Sequence, residues 1–221
     1  MAKALILSGG GLYADPWHPF AATSTRLAEI GERLGLAVEI AEDLEARLVD
    51  LRGVDVVVVN AAGGPLTAAH EAAVSGMHAF MARGGGILAV HVGASTLIGM
   101  PDWEDVTGMA WIDGVSMHPP LGPAHVNVHP DRHAIAATVD DFDLVDERYC
   151  RLRVAPDVVP FVSHEHEGTR EPLVWARRYG NARIVTDALG HGVESFDSPE
   201  HTELILRAFR WLTGTLPDRA A

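Results

Sequence analysis

The chain has 221 residues and a formal net charge of −13, from 30 acidic and 17 basic residues, and 48% of it is hydrophobic. This length predicts a single α/β domain over residues 1–221. The acidic balance, without a Lys/Arg cluster, argues against a nucleic-acid or anionic-membrane partner. No apolar run approaches the roughly 18 residues of a membrane span, and the N-terminal run is too short for a signal peptide. A lone cysteine, Cys150, excludes an internal disulfide, so we expect a cytoplasmic protein.

The first half of the chain alternates short apolar strands with amphipathic helices. Strands are predicted at 3–8, 36–40, 55–61 and 86–91. One helix is predicted at 22–35 with Thr23 or Ser24 as N-cap, and another from Thr67 to about Arg83. This alternation predicts a doubly wound parallel sheet with helices on both faces.

The second half is less regular. A short helix with Asp102 as cap is predicted at 102–108, and a terminal helix from about Pro199 to Thr213. Short strands are predicted near 124–128, 142–146, 158–163, 172–178 and 182–187. We therefore predict a mainly parallel open sheet with an irregular, partly antiparallel C-terminal extension. Ligands of such sheets bind at the carboxyl ends of strands, where His91 and His191 fall.

The glycine-rich segment 9–14 matches G-x-G-x-x-A directly after a strand, a pattern of dinucleotide sites. Such a site needs a helix that opens within the glycine run, whereas Pro16 and Pro19 intervene here. The pattern therefore favours the other interpretation, in which Gly10 and Gly11 let the backbone approach a ligand closely.

His91 stands between a predicted central strand and the following turn, where many α/β enzymes carry a nucleophile. The positive end of a helix that follows would disfavour imidazolium and keep this ring neutral. A neutral His91 could act as a general base, a hydrogen-bond donor or a metal ligand. The alternative is a buried histidine satisfied by a backbone carbonyl.

Other polar clusters are more ambiguous. HEHE at 164–167 could chelate a metal from one strand face, but its charges favour a solvated loop. HPDRH at 129–133 is expected to be a loop because of Pro130. In DLVDERYC at 143–150, Asp146 or Glu147 could orient a histidine or act as a base, or could simply be charges at an exposed strand end.

Taken together and in order, several segments resemble the trehalose-utilisation (ThuA-like) family of the class I glutamine amidotransferase-like superfamily. They are GGGILAVHVGAS, DW…TGMAW…MHP, DLVDERY, EPLVWARRYGNARIVTDALGH and FRWLTG. The resemblance implies a flavodoxin-like fold, with histidine where amidotransferases carry cysteine. His91 falls on that position and His191 on the family's G-H motif. His118 falls on its H-P motif, and Asp146, Glu147 and Tyr149 on its D-E-x-Y motif.

The chain departs from the family pattern at its start, where GGGLYAD lacks a histidine that Asp15 or His18 could replace. The segment before the H-P motif is also altered and reads GMAWIDGVS, and HAI at 133–135 replaces the usual H-P-I. We expect substrate contacts from Gly10, Gly11, Asp15, His18, Trp111 and His118, and catalytic roles for His91, His191, Asp146, Glu147 and Tyr149.

The resemblance implies an enzyme of bacterial carbohydrate catabolism that acts on trehalose-like or 3-keto sugars by histidine-assisted proton transfer, through isomerisation, elimination or hydrolysis. Glutamine hydrolysis is not expected. No cofactor is certain. One alternative is a hydrolase or lyase that uses a divalent metal such as zinc, held by two or three of His18, His91, His118 and His191. Another is a non-catalytic protein that binds sugars or serves as a scaffold. The expected partner is a small-molecule carbohydrate, and the sequence leaves open whether the chain forms a homo-oligomer.

Overall fold

The computed structural model describes residues 1–64 and 67–218, which form strands and α-helices in alternation through the first half of the chain. The strands are β1 (Lys3–Ser8), β2 (Ala37–Ala41), β3 (Val56–Asn60), β4 (Gly86–Val90), β5 (Met109–Ala110), β6 (Gly122–Val128), β7 (Phe142–Asp146), β8 (Arg153–Val154), β9 (Val162–His166), β10 (Thr169–Tyr179) and β11 (Ala182–Asp187). The helices are α1 (Phe20–Glu32), α2 (Leu44–Val49), α3 (His70–Ala82), α4 (Trp103–Thr107) and α5 (Pro199–Leu212).

Within the described residues, nine strands form one sheet in the order β2–β1–β3–β4–β11–β10–β9–β6–β7, and β5 pairs with β8 separately. The first five strands of this order are parallel, and the remaining four pair antiparallel. The parallel part has the 2-1-3-4-5 order of flavodoxin-like folds. A two-residue turn at Gly180 and Asn181 sends the chain from β10 back into β11 and so starts the antiparallel extension. The predicted fold class is confirmed.

The centre of the sheet is apolar on both faces. Every residue of β3 and β4 is buried, as expected for strands that are covered on both sides. Helix α1 contacts β1, β2 and α5, while α2 packs against α3. Among the described residues, no helix is long and apolar enough to cross a membrane.

Helix α1 begins at Phe20, before the predicted start at residue 22, and has Pro19 as its N-cap. Thr23 and Ser24 therefore lie inside the helix and do not cap it. Both are buried, and their hydroxyl oxygens each accept a hydrogen bond of 2.9 Å from the Asn60 side chain at the end of β3. The two polar residues thus connect the helix to the sheet.

Three other elements differ from the prediction. Helix α3 begins at His70, so Thr67 is not its cap, and the six-residue α2 was not predicted. Asp102 makes no capping hydrogen bond to α4; its carboxylate instead contacts His78 at 3.0 Å and accepts a 3.3 Å hydrogen bond from the Tyr179 hydroxyl. Local charge had suggested a cap, but tertiary partners bind this carboxylate.

The HEHE segment is not a solvated loop. Its first three residues belong to β9, and His164 is completely buried. The His164 Nε2 lies 3.1 Å from the Tyr149 carbonyl oxygen, which gives one of its two ring nitrogens a partner in the core. The four-letter polar run concealed a strand because one of its faces turns inward.

Candidate functional site

Four potential metal-binding side chains converge at the carboxyl ends of strands. His18 lies in the loop after β1, and His91, Glu147 and His191 follow β4, β7 and β11. Each offers one donor atom, and the four atoms lie within 4.8 Å of one another. A cavity of about 760 Å³ opens beside them, lined by Asp15, Pro16, Trp17, His18, Val92, Ser95, Trp111, His118, Glu147, Tyr149 and His191.

Three of the donor atoms form a nearly equilateral triangle. The Glu147 Oε2 lies 3.4 Å from His91 Nε2 and 3.2 Å from His191 Nδ1. The two imidazole nitrogens are 3.3 Å apart. The fourth residue, His18, packs edge-on against both rings, at centroid distances of 5.1 Å from His91 and 4.7 Å from His191.

The outer nitrogens of two rings are held by acceptors. The Nδ1–H of His91 donates to the Ala188 carbonyl oxygen at 2.9 Å, which leaves the Nε2 lone pair directed at the triangle. The Nδ1–H of His18 donates to Asp15 Oδ2 at 2.7 Å. The Nε2 of His18 is buried and has no hydrogen-bond partner among the described residues. Both rings therefore present an unprotonated nitrogen to the cluster.

The contacts within the cluster also shift the pKa values of its members. Burial opposes ionisation of Glu147, but the neighbouring imidazoles, His191 first and then His91, hold the pKa of its carboxyl well below the ordinary value. The Glu147 carboxylate in turn raises the pKa of His191, against the effect of burial. Burial and the neighbouring His91 lower the pKa of His18. The site thus separates its imidazoles into one that favours the cation and one that favours the neutral ring.

His91 adopts the backbone conformation of a sharp elbow. Its φ is +49°, which a non-glycine residue rarely adopts. The elbow is close-packed, since a Cβ at Gly93 would lie 2.4 Å from the Val59 carbonyl oxygen. The full helix expected after His91 is only a 3-10 turn over His91–Ala94, so the macrodipole invoked for its neutrality is largely missing. The Ala188 carbonyl and the adjacent donors set its environment instead.

Aromatic side chains form the walls above the cluster. The Tyr149 ring lies over His91 with centroids 4.3 Å apart, and Trp111 packs edge-on against Tyr149 at 5.0 Å. Burial, and then the Glu147 carboxylate, raise the pKa of Tyr149 well above its ordinary value, so its hydroxyl stays protonated. Trp17 lines the rim and is 72% exposed. Apolar rings beside a polar floor are typical of pockets for small polar ligands.

His118 lies just outside the four-donor cluster. Its Nδ1 is 2.9 Å from Glu147 Oε1, the carboxylate oxygen that faces away from the triangle. It lines the cavity and is partly exposed. Of the four histidines from which two or three metal ligands were predicted, the cluster contains His18, His91 and His191 but not His118, and it also contains Glu147.

Four residues predicted to act at the site do not line the cavity, and one of them, His91, is the buried member of the donor cluster described above. Asp146 is fully buried behind it, and its carboxylate accepts hydrogen bonds from backbone amides, so it cannot reach a ligand. Gly10 and Gly11 are also absent from the lining residues, and Gly10 faces Glu42 instead. Their expected contact with substrate thus has no counterpart in the geometry.

Some contributors carried little sequence signal. Trp17 lines the cavity but belongs to no recognisable pattern, and Val92 and Ser95 line it from within GGGILAVHVGAS, where only His91 was predicted to act. His201 is completely buried behind the site and hydrogen-bonds to Asp187. It could have been noticed, because it lies on the apolar stripe of α5 where a histidine needs a buried partner.

The single cysteine is not a nucleophile. Cys150 is buried, and its Sγ lies 3.7 Å from His164 Nε2. That nitrogen is already directed at the Tyr149 carbonyl, so it is not available to take the thiol proton. Burial raises the pKa of the Cys150 thiol to about 11. Thiolate chemistry therefore has no basis in this pair.

Comparison with known proteins agrees with this architecture. The model of the trehalose-utilisation family, ThuA, matches residues 3–212. The fold is similar to a ThuA-like protein from Parabacteroides merdae, with a TM-score of 0.81 at 20% identity over 99% of this chain and 92% of that one. A ThuA-like protein from Bacteroides uniformis gives 0.75 at 21% identity, covering 96% and 91%.

A more distant likeness in fold is also found. A candidate component of GMP synthase from Thermoplasma acidophilum gives a TM-score of 0.54 at 16% identity, covering 97% of this chain and 98% of that one. No curated protein matches the sequence. Since the family model spans nearly the whole sequence, the chain belongs to the trehalose-utilisation (ThuA) family.

Proposed function

We propose that the chain is a metal-dependent enzyme of carbohydrate catabolism that acts on a sugar bearing a carbonyl group, such as a 3-keto sugar. The observation that carries this proposal is the donor cluster: three donor atoms 3.2–3.4 Å apart, with the unpartnered His18 Nε2 beside them. A buried nitrogen without a partner is costly unless something binds it. Membership of the family supports a carbohydrate as the substrate.

The cluster has dimensions that suit a divalent cation. Zinc binds histidine nitrogen and carboxylate oxygen at about 2.0–2.2 Å, so two ligands of a tetrahedral site are about 3.3–3.6 Å apart. The separations of 3.4 and 3.3 Å lie within this range and that of 3.2 Å lies just below it, while all four donor atoms lie within 4.8 Å of one another. Three nitrogens and one oxygen suit zinc, and other first-row cations bind such sets as well. His18, His91, Glu147 and His191 would hold the ion.

When bound there, a divalent cation would act as a Lewis acid toward a carbonyl oxygen of the ligand. The carbonyl acidifies the neighbouring C–H, so removal of that proton leads to isomerisation or to elimination of a glycosidic oxygen. His118 lines the cavity and touches Glu147, which makes it the imidazole best placed to carry the proton. Asp15 and the Ala188 carbonyl hold the tautomers of His18 and His91 throughout.

The walls suit the faces of a sugar ring. Trp111 and Tyr149 present apolar surface beside the polar floor, and Trp17 adds an exposed ring at the rim. Sugar C–H groups pack well on such rings, while the polar floor provides hydrogen bonds.

Proton transfer without a metal is the second candidate. It is favoured by the pair of His191 and Glu147, because the carboxylate raises the pKa of His191 and so supplies a cationic acid next to a buried base. A purely scaffolding role would be favoured by His91 and His191 rings that lie far apart and are fully satisfied, but their facing nitrogens are 3.3 Å apart, which gives that role no support.

Zinc titration and turnover of 3-keto glycosides test the proposal together. Protein purified without an affinity tag and stripped with a chelator should bind one zinc ion, and turnover should depend on it. His91→Ala should lose both, whereas His125→Ala, a change at an exposed histidine on β6, should lose neither. Undiminished turnover by His91→Ala contradicts the proposal. Full activity of the metal-stripped protein would instead favour the second candidate, proton transfer without a metal.

A further inference from the structure

We propose that a buried chain of four side chains, Asp146, Ser195, His201 and Asp187, is a positioning unit that fixes three of the four donor residues in place. Its consequence for metal binding rests on the proposed function, whereas its effect on backbone order does not. All four residues are 2% exposed or less. Such a costly arrangement of buried charge calls for an explanation beyond stability.

Asp146 ties two donor residues together through their own backbones. Its carboxylate accepts from the amides of Glu147 at 2.7 Å, Gly190 at 2.7 Å and His191 at 3.1 Å. Glu147 and His191 come from distant parts of the sequence, after β7 and after β11. A single carboxylate thus sets the spacing of the two residues that form one edge of the donor triangle.

Ser195 and His201 hold Asp146 from behind. The Ser195 hydroxyl donates to Asp146 Oδ2 at 2.6 Å and also lies 2.9 Å from His201 Nδ1. Both ring nitrogens of His201 face acceptors, the Ser195 carbonyl oxygen at 3.0 Å and Asp187 Oδ2 at 2.9 Å. Two acceptors require two N–H groups, so His201 is an imidazolium between two buried carboxylates.

Asp187 extends the unit to the third donor residue. Its other oxygen accepts from the Leu189 amide at 3.0 Å, which fixes the turn that follows β11. That turn contains Ala188, whose carbonyl oxygen receives the Nδ1–H of His91. The unit therefore controls His91 through a carbonyl, and Glu147 and His191 through their amides, without touching the ligand pocket itself.

The test removes the link between Asp146 and His201 with Ser195→Ala. The matched control is Ser163→Ala, which removes another fully buried serine hydroxyl, 2.9 Å from the Nε2 of His129. Two quantities are measured for each variant: hydrogen exchange of the backbone amides of Glu147, Gly190 and His191 in metal-free protein, and zinc affinity. Thermal midpoints report the loss of stability.

For Ser195→Ala we expect faster exchange at these three amides but not in β1, and zinc affinity that is about 10- to 100-fold weaker, as for loss of a group that orients ligands. Ser163→Ala should lower stability alone. Unchanged exchange in Ser195→Ala overturns the inference, and so does an equal loss of zinc affinity in both variants. If the wild-type protein binds no zinc, the proposed function fails and the exchange measurement still decides the positioning role.

Ser195→Cys is the second variant, for use where alanine prevents folding. It keeps nearly the same volume and a weak donor toward Asp146. If Ser195→Ala folds, an amide exchange rate in Ser195→Cys between those of wild type and Ser195→Ala supports the positioning unit. If Ser195→Ala does not fold, a rate in Ser195→Cys above that of wild type supports it. A rate equal to wild type contradicts it.

Discussion

Replacing Asp15 with asparagine should weaken zinc binding by about 10- to 100-fold, or about 1.4–2.8 kcal/mol. Asp15 Oδ2 accepts the Nδ1–H of His18 at 2.7 Å, and Oδ1 accepts the amides of Trp17 and His18 at 2.9 Å each. An asparagine can keep its oxygen on the two amides, so the loop conformation survives. Its NH₂ group then faces Nδ1 and donates to it, which moves the ring proton to Nε2. His18 loses the lone pair that it directs at the cluster, while three donors remain.

The assay is a competitive titration of metal-free protein against a chromophoric zinc chelator at neutral pH. The control is Asp143→Asn, which alters an aspartate 2.8 Å from His125 Nδ1 on an exposed sheet edge. It makes the same chemical change outside the site and should leave zinc affinity unchanged. Wild-type affinity in the Asp15 variant, with folding intact, would refute the argument that this carboxylate sets the His18 tautomer.

Trp111→Ala should raise the KM for a keto sugar about tenfold with little change in kcat, since the ring is expected to stack on the sugar in both ground and transition states; a fall confined to kcat contradicts this. Asp187 raises the pKa of His201 in the folded protein, although burial opposes this shift. Protonated His201 therefore contributes its full stabilisation below the unfolded pKa of about 6.5. This contribution is lost as pH rises through the folded pKa. Urea unfolding should therefore show the wild type losing stability relative to His201→Gln as pH rises, and a difference independent of pH argues against the imidazolium. Gly93→Ala should cost on the order of 1–3 kcal/mol in the same assay, because its Cβ would lie 2.4 Å from the Val59 carbonyl, and an unchanged unfolding midpoint refutes this contact.

The central strands could be predicted from sequence because short, wholly apolar runs between turn residues leave few alternatives. Strands β3 and β4 lie within a residue or so of their predicted ends. The start of α1 was missed because Thr23 and Ser24 have the composition of a cap, and only the structure shows their hydroxyls turned toward Asn60. The polar letters of HEHE concealed β9 for a similar reason, since the acceptor for His164 is 15 residues away in sequence.

The donors of the site could be anticipated because they follow strand ends, where parallel sheets place ligands. His91, His191 and Glu147 do come together there. The sequence does not show which of two adjacent carboxylates, Asp146 or Glu147, faces the cavity. Successive side chains at the end of a strand point in opposite directions. Asp146 therefore turns inward to backbone amides, and Glu147 turns toward the cavity. The buried partners Ser195 and His201 depend on contacts that no local pattern records.

The four donor residues are distributed over almost the full length of the chain, with His18 near the start and His191 near the end. They meet only when β1, β4, β7 and β11 have each taken their places in one sheet. A cation that needs all four donors thus has no site in any early folding intermediate that lacks β11. If the proposed metal site exists, its complete set of donors would therefore form only in chains whose sheet is complete.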